Sequence, residues 1–546
     1  MSVFSWPVFY LNDDVTMRSI LSGSYTGTPD GHAVYMKYPL TGLLSGLYRV
    51  AGGVPWLELI FIGCILWALV EMVIPLKHKK AGLLFGVLFL LPFYLYMHYT
   101  VIAAILAGTA AYLMCVGKSP IKPILFWFLA WMVRSQVAYL ALPFLGVALL
   151  WKLRSVYAAW KECATCKAAA GNCLKVSVVF LLCAGLNRLC YADADWQAYL
   201  KYNDARTTLY DYTDFLSTDL YAENYEQYAM TESQFIILNS YNTLLDHSID
   251  EEKMEQVAAA VSEGMASRRE GSVWLKESVK QYYYQIRYGE SIYVWLWLAI
   301  FGSLALVVIL GRDWISLLLL GCYGAGRSLI WVFLIWRGRF PERVAVSLYV
   351  IELLLLIGMW NGLPDLCREN LKKLRFFSKE GKNKKRLWIV SRVCSVGLGI
   401  MLAGLLVVQI RTDAARAVEK KTLQQEWSVL KEYCGNDRDR LYLIDVFSAV
   451  EYSGLSFERD SENLMLAGGW MSASPLAAER FHAFGAGDGA EALLGKGQVS
   501  FLAQKDRDVT WLEDYLQERF GACDLQAVSE IPCSPNKVFV EYKVVK

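Results

Sequence analysis

Residues 56 to 76 read WLELIFIGCILWALVEMVIPL, and this run decides the fold. About 20 mostly apolar residues wound as a helix cross the hydrocarbon of a bilayer. The stretch supplies them with only Glu58 and Glu71 as ionisable interruptions. Comparable runs lie at 81–97, 100–116, 121–133, 136–151, 175–190, 291–311, 314–336, 344–362 and 389–410. Those at 121–133 and 136–151 are short and flank Arg134, which suits either two spans or a re-entrant pair. Composition agrees: of 546 residues, 55% are hydrophobic and 19% charged, well to the apolar side of an ordinary soluble enzyme. The expected fold is a polytopic α-helical membrane protein of about ten spans. Ahead of them MSVFSWPVFYL (1–11) reads as the stump of a truncated first helix, since it is too short for a span or a signal peptide. A start codon placed too late, or an amphipathic anchor, would explain it.

Lysine and arginine collect on cytoplasmic loops. KHKK (77–80), KSPIK (118–122), the 152–175 segment and KKLRFFSKEGKNKKR (372–386) fall on one side of the alternation. The other side, extracytoplasmic, receives residues 1–55, the 191–290 loop, the RGRFPERV turn (337–344) and the chain beyond about 411. The outer loop at 191–290 is rich in tyrosine and helix formers and reads as helical cover over the outer face. The expected division is a membrane domain, 1–410, carrying outer loops 1–55 and 191–290, and an extracytoplasmic domain, 411–546. The latter shows a helical stretch to Tyr433, strand-like RLYLIDVFSAV, QVSFLAQ, LQAVSEI and KVFVEYKVV, and helix-like DVTWLEDYLQERFG. A small α/β domain follows from that alternation. The net charge of +2 identifies no partner, and no nucleotide-binding or nucleic-acid motif is present.

Thirteen cysteines lie mostly inside apolar runs, as small buried residues do. CATCKAAAGNC (163–173) offers three thiols and no nearby histidine, so a zinc site lacks a fourth ligand. Cys523 and Cys533 are a pair that either bridges or stays reduced.

The chemistry concentrates in LNDDVTMRSILSGSYTGTPDGHAVYMKYPL (11–40). Asp13 and Asp14 could favour the start of a helix beginning at Val15. Two adjacent acids with Arg18 a turn later also suit catalysis: a carboxylate takes a proton from an attacking hydroxyl, and nearby cations steady a leaving phosphate. Arg339 and Arg343 in the RGRFPERV turn and Arg134 at a hairpin tip are the cations placed for a phosphate, with Lys37 a weaker candidate. Their ordinary role would be interfacial snorkelling. Arg206 has Tyr210 and Asp211 within one helical turn, which favours a structural tie as much as substrate contact. Trp470 reads as core before it reads as a sugar platform.

The stretches NDDVTMRSILSGSYTGTPDGH (12–32), YPLTGLLSGLYRV (38–50), NDARTTLYDYTDF (203–215), GRFPERV (338–344) and LAGGWMSASP (466–475) resemble the GT-C superfamily of glycosyltransferases, and more closely a set of bacterial membrane proteins within it. That resemblance implies transfer of a sugar from a polyprenyl-phosphate donor to an extracytoplasmic acceptor, a cell-envelope glycan, lipid or protein, with inversion. It puts Asp13 in the role of general base with Asp14 the alternative. It makes Asp14, Asp30 and His32 the candidates for a divalent metal, Mg or Mn, where one is used. Arg18, Arg206 and Asp211 become substrate-loop candidates. Two other classes compete: a transporter or flippase of a lipid-linked or anionic solute, for which Glu71 and Arg327 would line a path across the membrane, and a non-catalytic envelope scaffold.

Overall fold

The computed structural model of the protein describes residues 7–117, 119–156, 163–213, 215–217, 226, 228–268, 271–288, 291–338, 340–364, 367, 369–370, 383–452, 461–495 and 497–545. The chain opens on a two-residue strand, β1 (Val8–Phe9), followed by α1 (Asn12–Ser22), α2 (Tyr38–Val50), α3 (Trp56–Val73) and α4 (Lys79–Leu95). A second short strand, β2 (Tyr96–Met97), leads into α5 (Tyr99–Val116), α6 (Ile121–Val133), α7 (Ser135–Leu140), α8 (Leu142–Val156) and α9 (Cys163–Cys190). A middle segment holds α10 (Ala194–Tyr212), α11 (Glu232–Asn239), α12 (Glu251–Arg268) and α13 (Gly271–Tyr288). Then come α14 (Ile292–Leu310), α15 (Trp314–Trp336), α16 (Glu342–Asn361) and the long α17 (Asn383–Gly435). The C-terminal part comprises β3 (Leu441–Ile444), β4 (Leu464–Leu466), α18 (Pro475–His482), α19 (Gly489–Leu494), β5 (Val499–Gln504), α20 (Thr510–Phe520), β6 (Asp524–Ser534) and β7 (Lys537–Val545).

Each of the ten apolar runs is helical over most of its described length. Among the described residues five helices, α3, α5, α14, α15 and α16, are long and apolar enough to cross a membrane. A sixth crossing would combine residues 175–190 with α10, two helices bent by 99°. The shortfall against ten has local causes. The 17-residue α4 carries Pro92 near its end, α6 stops at 13 residues, and the run at 136–151 divides at Ala141 into α7 and α8.

Helix α5 is the centre of the apolar bundle, with nearly every side chain buried. Its small residues permit this: a Cβ on Gly108 would stand 3.1 Å from the Ile351 Cα, and one on Gly358 would stand 2.9 Å from the Tyr112 Cα, so α5 and α16 touch backbone to backbone. The pairs expected to test a transport path are closed. Arg327 Nε donates to Glu352 Oε2 at 2.8 Å, Trp331 Nε1 donates to Glu352 Oε1 at 2.7 Å, and the guanidinium lies 4.1 Å over Trp297. Glu71 accepts from Lys122 Nζ at 2.6 Å.

Residues 7–11, the described part of the expected helix stump, depart from it. Val8–Phe9 is extended and pairs in parallel with Tyr96–Met97, with Tyr10 N donating to Met97 O at 2.9 Å. That pairing satisfies the backbone where the segment between α4 and α5 has left its helices, and it sets the register that brings residues 13–14 against residues 98–99.

The C-terminal sheet has the order β4-β3-β5-β7-β6. β3 is parallel to both β4 and β5, and β7 runs antiparallel to β5 and β6. LYLI is buried at all four positions, as a central parallel strand requires, whereas β6 is mostly exposed and carries Asp524, Glu530 and Pro532, as suits an edge. QVSFLAQ, LQAVSEI and KVFVEYKVV form strands and DVTWLEDYLQERFG a helix as expected; RLYLIDVFSAV is a strand only over Leu441–Ile444 and turns helical at Phe447–Ala449, and β4 is additional. Cys523 and Cys533 are free thiols, and the side chains of the 163–173 cysteines lie outside the described residues.

The middle segment does more than cover the bundle. Tyr202, Leu209, Phe235, Leu245 and Val257 share one hydrophobic core with Leu443, Phe501 and Leu516. Asn242 locks it to the sheet, its Nδ2 donating to Asp445 Oδ1 at 2.8 Å and its Oδ1 accepting from Val446 N at 3.0 Å. Residues 202–261 and the C-terminal sheet therefore pack as one layer against the apolar bundle, across the boundary drawn at 411.

Candidate functional site

Helix α1 begins at Asn12, not at Val15, and its N-cap is Leu11 without a side-chain hydrogen bond. Neither aspartate caps its own helix. Successive residues on a helix point about 100° apart, and the two acids meet different surroundings. Asp14 is completely buried. Its Oδ1 accepts from Tyr99 N at 3.0 Å, which satisfies one of the open N–H groups at the start of α5, and its Oδ2 lies 2.9 Å from His98 Nδ1. Asp14 thus caps a helix 85 residues away and orients an imidazole.

Asp13 is half-buried and has no hydrogen-bond or ion-pair partner among the described residues. It lines a cleft with about 1010 Å³ of space between its walls. One wall is α1 with Tyr25; the other is Val446, Leu466, Gly468 and Trp470, beyond the carboxyl ends of β3 and β4. The carboxyl edge of a parallel sheet is where α/β domains place ligands. Gly468 lets that edge approach: a Cβ there would lie 1.8 Å from the Tyr241 carbonyl oxygen. Tyr241 itself holds φ +64°, a left-handed backbone that a bulky residue rarely adopts.

Asp13 is within electrostatic reach of the Tyr35, Tyr99 and Tyr241 rings, and two cations sit against aromatic rings. Tyr35 packs on Trp470 with ring centres 4.7 Å apart. Burial pushes the Tyr35 and Tyr241 phenols upward, Arg206 opposes this, and Asp13 adds to the rise in both. The Arg134 guanidinium lies 4.8 Å over Tyr35 and 5.1 Å over Tyr99. Lys37 sits 5.6 Å over Trp131 and is held below its ordinary range by burial and by Arg134. Neither cation's side chain has a carboxylate partner among the described residues.

A second cavity, with about 1460 Å³ between its walls, opens where α4 ends and α14 and α16 begin, against the middle of α17. Arg343, Arg416, Tyr10 and His98 line it beside Phe93 and Val346. Tyr99, at the start of α5, is within electrostatic reach of Asp13, Asp14, Arg134 and Arg343.

The remaining expected residues fall as follows. Arg18 is buried in an ion pair with Glu58 at 2.9 Å and is removed from any substrate. Arg206 is buried and satisfied by Asn203, Tyr241, Tyr35 and Thr207, the structural tie that its spacing allowed; Asp211 lies within its field. Asp30 Oδ1 meets His32 Nδ1 at 2.7 Å, and His32 Nε2 lies 3.1 Å from Cys190 O with the ring stacked on Trp196 at 4.3 Å. Both ring nitrogens are therefore engaged. Asp14, Asp30 and His32 do not converge, and no group of three metal-ligating side chains occurs among the described residues. Trp470 is buried, with 6% of its surface exposed. Arg339 lies outside the described residues. The residue that sequence reasoning missed is His98; its signal was a lone histidine in MHYT (97–100), at the break between two apolar runs. Comparisons with family models, with curated proteins and with solved structures give no match.

Proposed function

We propose that this chain is a multi-pass membrane glycosyltransferase that moves a sugar from a polyprenyl-phosphate donor to a hydroxyl of an extracytoplasmic acceptor. The observation that carries the reading is Asp13, a half-buried carboxylate without a partner among the described residues, facing a cleft roofed by the carboxyl edge of a sheet. A structural acid at such depth is normally paired. In the proposed reaction Asp13 takes the acceptor's proton as its oxygen attacks the anomeric carbon. The carbon–oxygen bond to phosphate breaks on the opposite face, so configuration inverts, and Arg343, Arg134 or Lys37 steadies the departing charge. No step is assigned to a metal.

The paired states of Arg327 and Glu71 favour transfer over transport, because each is neutralised by a neighbour and lines neither cavity. The test is lipid mass spectrometry of cells lacking the protein, complemented with it or with Asp13→Asn. Accumulated polyprenyl-phospho-sugar cleared only by the unaltered protein is the expected result. Equal clearance by Asp13→Asn would remove Asp13 from catalysis.

A further inference from the structure

His98 combines three properties that packing alone does not require. It is 1% exposed, its Nδ1 is fixed on Asp14, and its Nε2 has no hydrogen-bond partner among the described residues. An unsatisfied buried nitrogen costs about 1 to 3 kcal/mol, so it is retained where something else meets it. The rings around it supply nothing: Tyr10 stacks at 5.5 Å and Tyr99 meets it edge-on at 4.7 Å.

The cavity that His98 lines has one more open group. Of its charged residues, Glu342 accepts from Tyr10 Oη and from Arg416, each at 3.1 Å. Asp413 accepts from Gln409 at 2.8 Å and lies 4.0 Å from Arg416. Arg343 is half-buried on the same wall; its carbonyl accepts from Ser347 Oγ at 2.7 Å, and its guanidinium has no hydrogen-bond or ion-pair partner among the described residues. Pro92, Phe93, Val346 and Val408 add hydrocarbon to a lining that also includes Ser291 and Thr412. A guanidinium fork and a buried, unpaired imidazole nitrogen beside an apolar wall match one ligand chemistry: a phosphate ester on a hydrocarbon chain.

We infer that the second cavity holds the phosphate of a lipid-linked ligand between Arg343 and His98, with Asp14 as the residue that positions His98. Asp14 accepts from Tyr99 N and holds the His98 Nδ1, which fixes the ring and leaves Nε2 as the atom to meet the phosphate. This rests on the transferase reading for the identity of the lipid and selects Arg343, over Arg134 and Lys37, as the phosphate cation.

The experiment measures binding of polyprenyl phosphate, the matching polyprenol and inorganic phosphate to the full chain in detergent. Polyprenyl phosphate should bind at least about tenfold tighter than the alcohol, a gap of about 1.4 kcal/mol. His98→Gln and Arg343→Gln should each erase most of that gap while leaving polyprenol binding unchanged, a selectivity that a purely structural role would not produce. Competition by inorganic phosphate would support recognition of the head group. Should His98→Gln fail to fold, Arg343→Gln alone carries the prediction. Equal binding of phosphate and alcohol, or full phosphate selectivity in both variants, would overturn the inference. Selective binding without any sugar transfer would instead strike the transferase reading and leave the site standing.

Discussion

Replacing Asp14 by alanine should unfold the junction between α1 and α5, whereas the same change at its neighbour should not. Asp14→Ala strands two buried groups at once, the Tyr99 N–H and the His98 Nδ1. Each orphaned group costs about 1 to 3 kcal/mol, so the loss is about 2 to 6 kcal/mol. Asp13 has no hydrogen-bond partner among the described residues, and Asp13→Ala should stay within about 0.5 kcal/mol of the unaltered protein. Asp14→Asn is the informative intermediate: its Oδ1 still accepts from Tyr99, and its amide can donate to the other His98 tautomer, leaving the proton on Nε2. It should retain most stability. Denaturant unfolding in detergent, followed by tryptophan fluorescence at a single scan protocol, orders the three variants despite irreversibility. Asp14→Ala unfolding together with Asp13→Ala would refute the claim that Asp14 caps α5, and with it the account of how the acid pair divides its work.

Gly468→Ala should push the carboxyl edge of β4 away from Tyr241, because the new Cβ meets a backbone oxygen at 1.8 Å. The expected cost is about 1 to 3 kcal/mol, with faster proteolysis at the junction, while Gly435→Ala, which meets nothing within 4 Å, serves as control. Glu541 links Tyr433, Ser500 and Arg440. Burial would raise its carboxyl, but hydrogen bonds from those three groups outweigh it and hold the carboxyl below its ordinary value. A depressed acid stabilises the fold above the ordinary carboxylate range and loses that contribution as pH falls through the folded value, so unfolding of the C-terminal layer should steepen below about pH 4.3. Glu541→Gln should flatten that acid limb in a circular-dichroism titration, and an unchanged limb would exclude Glu541 as its source. Inside the apolar bundle, Glu352→Gln leaves Arg327 buried without a counter-charge and should cost about 3 to 5 kcal/mol, whereas Arg327→Met combined with Glu352→Leu should recover most of it. A double variant as unstable as the single one would mean that the charge pair does more than neutralise itself.

The helical bundle was legible because apolar runs of helix length leave few alternatives, and the C-terminal strands because LYLI and VSFLAQ are continuous buried runs between turn signals. Two things escaped. β4 is three residues long, and its apolar run LMLA merges with the GG turn that follows it, so no period of two could develop. The merging of the middle segment with the sheet was also hidden. Tyr202, Leu209 and Val257 are spaced like any amphipathic helix face, and nothing in that spacing says whether the face meets lipid-side helices or a sheet more than 180 residues onward.

The acid pair shows the same limit at the level of single residues. Sequence placed two carboxylates in the first turn of α1, where a favourable helix terminus and a reactive site look alike. What separates them is a strand pair of two residues, β1 with β2, too short to be read from sequence, which brings His98 and the N-terminus of α5 beneath Asp14. Once Asp14 is committed to α5, the 100° rotation to the preceding residue turns Asp13 toward the cleft. The bland reading and the sharp one therefore hold together, one on each residue: Asp14 supplies a cap, for a different helix than its own, and doing so leaves Asp13 as the carboxylate open to a ligand.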